Sequence, residues 1–144
     1  MLPINRRHAT AALLVAVFAA SCGTAVRGTE PGRLDAVKPG PWGGPHIAMT
    51  VAASGTAIEF DCGKGTVDGA IDADRDGGFT ATGTFHPERP GPTTPTPPPD
   101  RPMRLSGRVQ GDEMQLKIAL TDRDEEIGTF TLAFNTTPRL TKCR

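Results

Sequence analysis

Apolar and polar residues alternate with a period of two along most of the chain after His46. Ile47, Met49 and Val51 fall on one face, against His46, Ala48 and Thr50 on the other. After Ser54-Gly55 the alternation resumes as Ile58, Phe60 and Cys62 against Ala57, Glu59 and Asp61. A two-residue turn at Ser54-Gly55 pairs Val51 with Ile58, Met49 with Phe60 and Ile47 with Cys62. That puts every apolar pair on one face, as a half-buried hairpin requires. A second hairpin turns at Gly111-Asp112. It pairs Val109 with Met114, Gly107 with Leu116, Leu105 with Ile118 and Met103 with Leu120, and Gly in the first turn position suits a primed turn.

Two further strands are expected between the hairpins. Val67, Gly69 and Ile71 face inward on one, and Phe79, Ala81, Gly83 and Phe85 on the other, joined by the turn Asp72 to Gly78. A polar turn over Asp122 to Glu126 leads to Gly128, Phe130, Leu132 and Phe134, and a last short strand is expected over Arg139 to Cys143. About eight strands in consecutive hairpins, with no helical period, predict an all-β fold. The expected architecture is a small up-and-down antiparallel β-barrel, with a flattened β-sandwich as the alternative.

The start of the chain is of another kind. Arg6 and Arg7 precede an apolar run from Ala9 to Ala20, too short to span a bilayer as a stable helix. A positive start, a short apolar centre and small closing residues describe an export signal over 1–21. Arg6-Arg7 also has a twin-arginine look, which the following His8-Ala9-Thr10 fits poorly. The closing Ala19-Ala20-Ser21-Cys22 resembles the lipobox of bacterial lipoproteins, departing from it at Ala19, where Leu is usual. The resemblance implies lipid attachment, palmitate included, at Cys22 and anchoring to the cell-envelope membrane. Gly23 rather than Asp after the Cys slightly favours an outer membrane, where one exists. The ordinary alternative is cleavage with Cys22 left as a free thiol. With Cys22 lipidated, the two remaining cysteines, Cys62 and Cys143, are left to pair in an oxidising compartment.

Composition divides the rest. Residues 22–41 carry Gly28, Pro31, Gly32, Pro39, Gly40 and Pro41 and little apolar content, the composition of a flexible tether. The β-domain is then 42–144. Within it, Pro87 to Pro102 holds eight prolines in 16 residues and is expected as an extended surface loop. Its plain role is a spacer; its functional role is a ligand for an aromatic groove. Without Arg6 and Arg7 the chain has 14 basic and 16 acidic groups, a balance that argues against nucleic-acid binding.

Candidate chemistry is sparse. Asp72-Ala73-Asp74-Arg75-Asp76-Gly77 matches the first half of a calcium loop, so Asp72, Asp74 and Asp76 are candidate ligands. Gly83 stands where a closing Glu belongs, and Asp with Gly is also what a plain turn selects. His46 and His86 lie outward, His46 diagonally across from Asp61, with no third ligand to complete a zinc or copper site. Ser54 lies in a turn and Ser106 on an outward face, neither beside a base. Glu59, Asp61 and Asp68 are expected to share the outer surface as a solvated face.

Gly40-Pro41-Trp42 resembles the Gly-x-Trp signature that opens lipocalin and avidin-like barrels. It implies that Trp42 plugs one barrel end, with a late Arg such as Arg139 covering it. The body also resembles small exported bacterial β-barrel proteins to which no activity is attached. Inward Gly69, Gly83 and Gly107 leave either a cavity for an apolar ligand or room that Phe60, Phe79, Phe85, Phe130 and Phe134 fill. Filling is the preferred expectation, since no inward polar group would orient a ligand. Together these features point to a non-enzymatic envelope lipoprotein with no cofactor, acting as a surface interaction or structural module on an envelope protein. The alternative is a lipocalin-like carrier of an apolar small molecule.

Overall fold

The computed structural model describes residues 35–89, 91 and 96–143. The export signal expected over 1–21, Cys22 and the expected tether up to residue 34 lie outside them. Ten strands follow in order: β1 Asp35–Ala36, β2 Gly40–Gly44, β3 Ile47–Ala52, β4 Gly55–Phe60, β5 Gly63–Asp68, β6 Asp72–Ala73, β7 Gly78–Pro87, β8 Arg101–Gln110, β9 Glu113–Leu120 and β10 Glu125–Phe134. Eight of them form a closed antiparallel barrel, each pairing with the next along the chain. β7 pairs with β8, and β10 returns to β2, so the sheet closes on itself and the sandwich alternative is not realised. β1 and β6 form a two-residue ribbon attached to the start of β7.

The barrel has two ends. The first carries the turns at Ala53-Ser54, at 69–77 and at Gly111-Asp112. The second, here called the mouth, carries the Pro45-His46, Asp61-Cys62 and 121–124 turns and the Pro-rich loop.

The β8–β9 hairpin has the expected register in all four inward pairs, with Gly111 at φ 60°. The β3–β4 hairpin does not. Its turn is Ala53-Ser54, so Ile47 pairs with Phe60, Met49 with Ile58 and Val51 with Thr56. The offset is two residues, which keeps every side chain on its expected face because the strand period is also two. The consequence is Thr56, which enters the core at 3% exposure with no hydrogen-bond partner for Oγ1 among the described residues.

The strand expected through Gly69 stops at Asp68, because Gly69 takes φ 75° and turns the chain out of the barrel wall. Gly63, Gly65 and Val67 therefore face inward, and Ile71 is buried outside that strand. The domain also starts earlier than residue 42. Val37 is 2% exposed, its N–H donates to the Ile71 carbonyl, and Gly40 and Pro41 pair with Val51 and Thr50. Residues 35–41, expected as part of a tether, are thus held by backbone pairing and by the buried Val37. The Pro-rich stretch is shortened at both ends. Pro87 closes β7 and Pro102 lies in the first turn-proximal part of β8, positions at the rim where a missing N–H breaks little of the ladder.

The interior is packed. Ile47, Met49, Met103, Leu105, Met114, Leu116, Ile118 and Leu132 are at most 1% exposed. The mid-strand glycines leave room that neighbouring side chains occupy. A β-carbon on Gly107 would meet the Phe79 ring at 2.7 Å, and Phe79 is its cross-strand partner. One on Gly65 would meet Met103 Cε at 2.7 Å, and one on Gly83 the same methyl at 3.1 Å. Glycine opposite an aromatic lets the ring lie over bare backbone, which bends the wall and fills the bore together.

Candidate functional site at the barrel mouth

The mouth is shaped by how β2 ends. β2 meets β10 through only two pairs, Gly43 with Ala133 and Trp42 with Phe134. Pro45 stands where that register places the next ladder residue, opposite Thr131, and it has no N–H to give. The chain instead turns at His46, which holds a left-handed φ of 65°. Histidine tolerates that region better than most residues, but the conformation still needs support. It comes from the His46 N–H, which donates to the Arg139 carbonyl at 2.8 Å, and from the ring, whose Nδ1 lies 2.6 Å from Asp61 Oδ2.

Beside His46 a depression of about 240 Å³ opens between Phe60, Phe85, Ile127 and Phe130, with Asp61 and Cys62 at its rim. Phe60 makes an edge contact with Phe85 at 5.6 Å and a tilted one with Phe130 at 5.9 Å. Phe85, Ile127 and Phe130 are only half-buried, so the floor is apolar and open to water.

The C-terminal tail borders this floor. After β10 it runs back along the outside of β2, so close that a β-carbon on Gly43 would meet the Thr136 carbonyl oxygen. Arg139 bridges Pro45 in parallel fashion, in place of the strand expected over Arg139 to Cys143. A cluster of bonds at the β4–β5 turn then fastens the tail. Thr141 N–H donates to Asp61 Oδ1 at 2.6 Å, Cys143 N–H to the Asp61 carbonyl at 3.2 Å, and Lys142 Nζ to the Phe60 carbonyl at 2.9 Å. Lys142 also pairs with Glu59 at 2.8 Å. The Cys62–Cys143 disulfide closes the clasp with Cα atoms 5.3 Å apart.

These contacts set the charges. The Thr141 N–H, then the His46 ring and Lys142, hold the Asp61 carboxyl below its ordinary range. Lys142 lowers Glu59 and is itself raised by it. On the other side of the mouth, Arg101 makes a two-pronged contact with Asp122 at 2.9 and 3.0 Å and a third with Glu125 at 2.7 Å. Those bonds raise the guanidinium and depress Asp122. His86 Nδ1 lies 2.6 Å from Asp100 Oδ1, tying the two stems of the Pro-rich loop.

Other expected groupings come apart. Trp42 is 1% exposed, its Nε1 donates to the Lys38 carbonyl at 3.0 Å, and it packs edge-on to Phe134, toward the first end. Arg139 pairs with Pro45 beyond the other end of β2 and does not cover it. Glu59 and Asp61 engage the tail, while Asp68 lies at the first end opposite Gly55. Asp74 Oδ1 accepts the N–H groups of Asp76 and Gly78, and Asp72 belongs to β6. The run is thus a carboxylate-stapled turn; no group of three His, Cys, Asp or Glu that could hold a metal is present among the described residues. Ser54 is in the turn, and Ser106 faces outward between Thr80 and Lys117.

No protein-family model, curated protein or solved structure matches this chain.

Proposed function

We propose that the chain is a non-enzymatic, lipid-anchored protein of the bacterial cell envelope that acts through the outer surface of its barrel. The packed interior carries this reading. Met103 and Phe79 occupy the space beside Gly65, Gly83 and Gly107, the positions at which a carrier would keep its cavity. The lipobox-like Ala19-Ala20-Ser21-Cys22 supports the anchor, and the disulfide accords with an oxidising compartment. The partner is an envelope protein at the mouth. A second reading, carriage of a small apolar molecule, draws on the half-open aromatic depression of about 240 Å³.

Native mass spectrometry of the protein extracted from its own host's membranes tests the proposal. The expected mass is one oxidised chain starting at Cys22 plus acyl groups, unchanged in composition by denaturation. A small molecule released on denaturation would transfer the function to the carrier reading, and a chain without acyl mass would remove the anchor.

A further inference from the structure

The depression at the mouth combines three aromatic rings with one carboxylate. Phe85 and Phe130 are inclined to Phe60 at 63° and 47°, which makes a concave wall of rings. Both are half-buried and keep part of their surface in water. Asp61 stands at the rim, and no Lys or Arg lines the depression among the described residues. The neighbouring cations are engaged elsewhere. Lys142 is held by the Phe60 carbonyl and Glu59, and Arg101, opposite Phe85 in the ladder, by Asp122 and Glu125. The Thr141 N–H and then the His46 ring hold the Asp61 carboxyl below its ordinary range, so it stays ionised at neutral pH. Each of its oxygens already has a partner at 2.6 Å, His46 Nδ1 on one and the Thr141 N–H on the other. Asp61 therefore offers negative charge with part of its acceptor capacity filled.

We infer that this depression binds a small quaternary ammonium compound, its methylated head seated against Phe60, Phe85 and Phe130 beside Asp61. Aromatic ring faces attract a cation, and a cage of them suits an ammonium whose methyl groups also gain from leaving water. A carboxylate at the rim adds to the attraction where solvent is partly excluded. A primary ammonium or a guanidinium would bring N–H groups that need acceptors. The rings supply none, and Asp61 is already shared between His46 and Thr141. A quaternary head has no such groups to satisfy. Size points the same way. The depression of about 240 Å³ is smaller than the roughly 300–1,000 Å³ of pockets that enclose a drug-sized molecule, so it takes a head group and leaves the rest of the ligand in water. The inference goes beyond the reading of the barrel as a surface-acting module and needs no space in the bore. A cation held at this open site leaves during extraction, so the single-chain mass expected above and the binding below fail independently.

The probe is choline, titrated by proton magnetic resonance against the full lipidated chain in maltoside micelles at about pH 8, where histidine is ordinarily neutral. Two comparison compounds are neohexyl alcohol, the neutral isostere with carbon in place of nitrogen, and ethanolamine, which keeps the charge but carries N–H groups. Choline is expected to saturate in the range of about 0.1–10 mM. Its methyl protons should shift upfield and receive saturation transfer from the phenylalanine rings. Neohexyl alcohol and ethanolamine should each bind at least about threefold more weakly. Phe130→Leu keeps an apolar side chain but removes one ring; it should weaken choline several-fold and leave neohexyl alcohol unchanged. Phe85→Leu makes the same test if the change in β10 disturbs the barrel. No saturation by choline up to about 50 mM, binding of either comparison compound as tight as that of choline, or choline binding indifferent to the loss of a ring would each overturn the inference.

Discussion

Replacing both Cys62 and Cys143 with Ala removes a bridge between residues 81 apart in the chain. In the chain-entropy model a loop of that length costs the unfolded state about 4.5 kcal/mol of freedom, and the bridge stabilises the fold by that amount. The structure trims the figure. The segment freed by the double variant is the exposed tail, held by the Asp61–Thr141 and Glu59–Lys142 contacts at the surface. Surface contacts of this kind let the tail fray in the native state, which returns part of the lost freedom. A net loss of roughly 3–4 kcal/mol remains, equivalent to a fall of roughly 12–30 °C in thermal midpoint for a domain of about 100 residues. Calorimetry of the oxidised protein and the double variant reads this directly. Exchange of the Thr141 and Cys143 amides should rise in the variant under native conditions while β8 and β9 stay protected. A midpoint lowered by less than about 3 °C would mean that the unfolded chain gains no freedom from losing the link.

The remaining predictions concern the core, the tail and pH. Thr56→Val should raise stability by about 1 kcal/mol in denaturant titration, because it replaces an unpartnered buried hydroxyl with a methyl of like shape; a loss would mean that Oγ1 has a partner. Gly43→Ala should cost roughly 1–3 kcal/mol by driving a methyl into the Thr136 carbonyl, and much less once the tail is truncated after Phe134. Acidification should loosen the tail before it unfolds the barrel. Asp61 and Glu59 have folded pKa values below their ordinary ones, so their contribution is complete above the unfolded carboxylate range and is lost as pH falls through the folded values. Thr141 amide exchange followed against pH should show this acid limb, and Asp61→Asn should flatten it.

The strands were legible because alternation reports which face of a residue meets the core. Met103 to Leu120 illustrates this, with Gly111 marking the turn and each inward residue falling opposite another. Alternation is blind to a two-residue slip, however, so it could not choose between Ser54-Gly55 and Ala53-Ser54. Barrel closure was an inference from consecutive hairpins, whereas the short β2–β10 seam depends on Pro45 and the His46 turn acting together. The His46–Asp61 contact was legible, since both residues flank one hairpin. The His86–Asp100 contact was not, because the Pro-rich loop separates its members. Nor does local pattern show that a tail beginning at Asn135, with φ 54°, doubles back over β2 to reach Asp61. The signals available were the bare Gly43 and the Cys62–Cys143 pair, which together place the tail's path.

A full bore separates a barrel that acts through its surface from one that carries a ligand. Nuclear Overhauser spectroscopy on protein labelled at the methionine methyl groups tests this most directly. A full bore gives strong cross-peaks from the Met103 methyl to the α-protons of Gly65 and Gly83. It also gives contacts from the Phe79 ring to those of Gly107, shifted by the ring current. Their absence, with cross-peaks from these glycines to a co-purifying molecule or to water instead, would mean a hollow bore and a carrier.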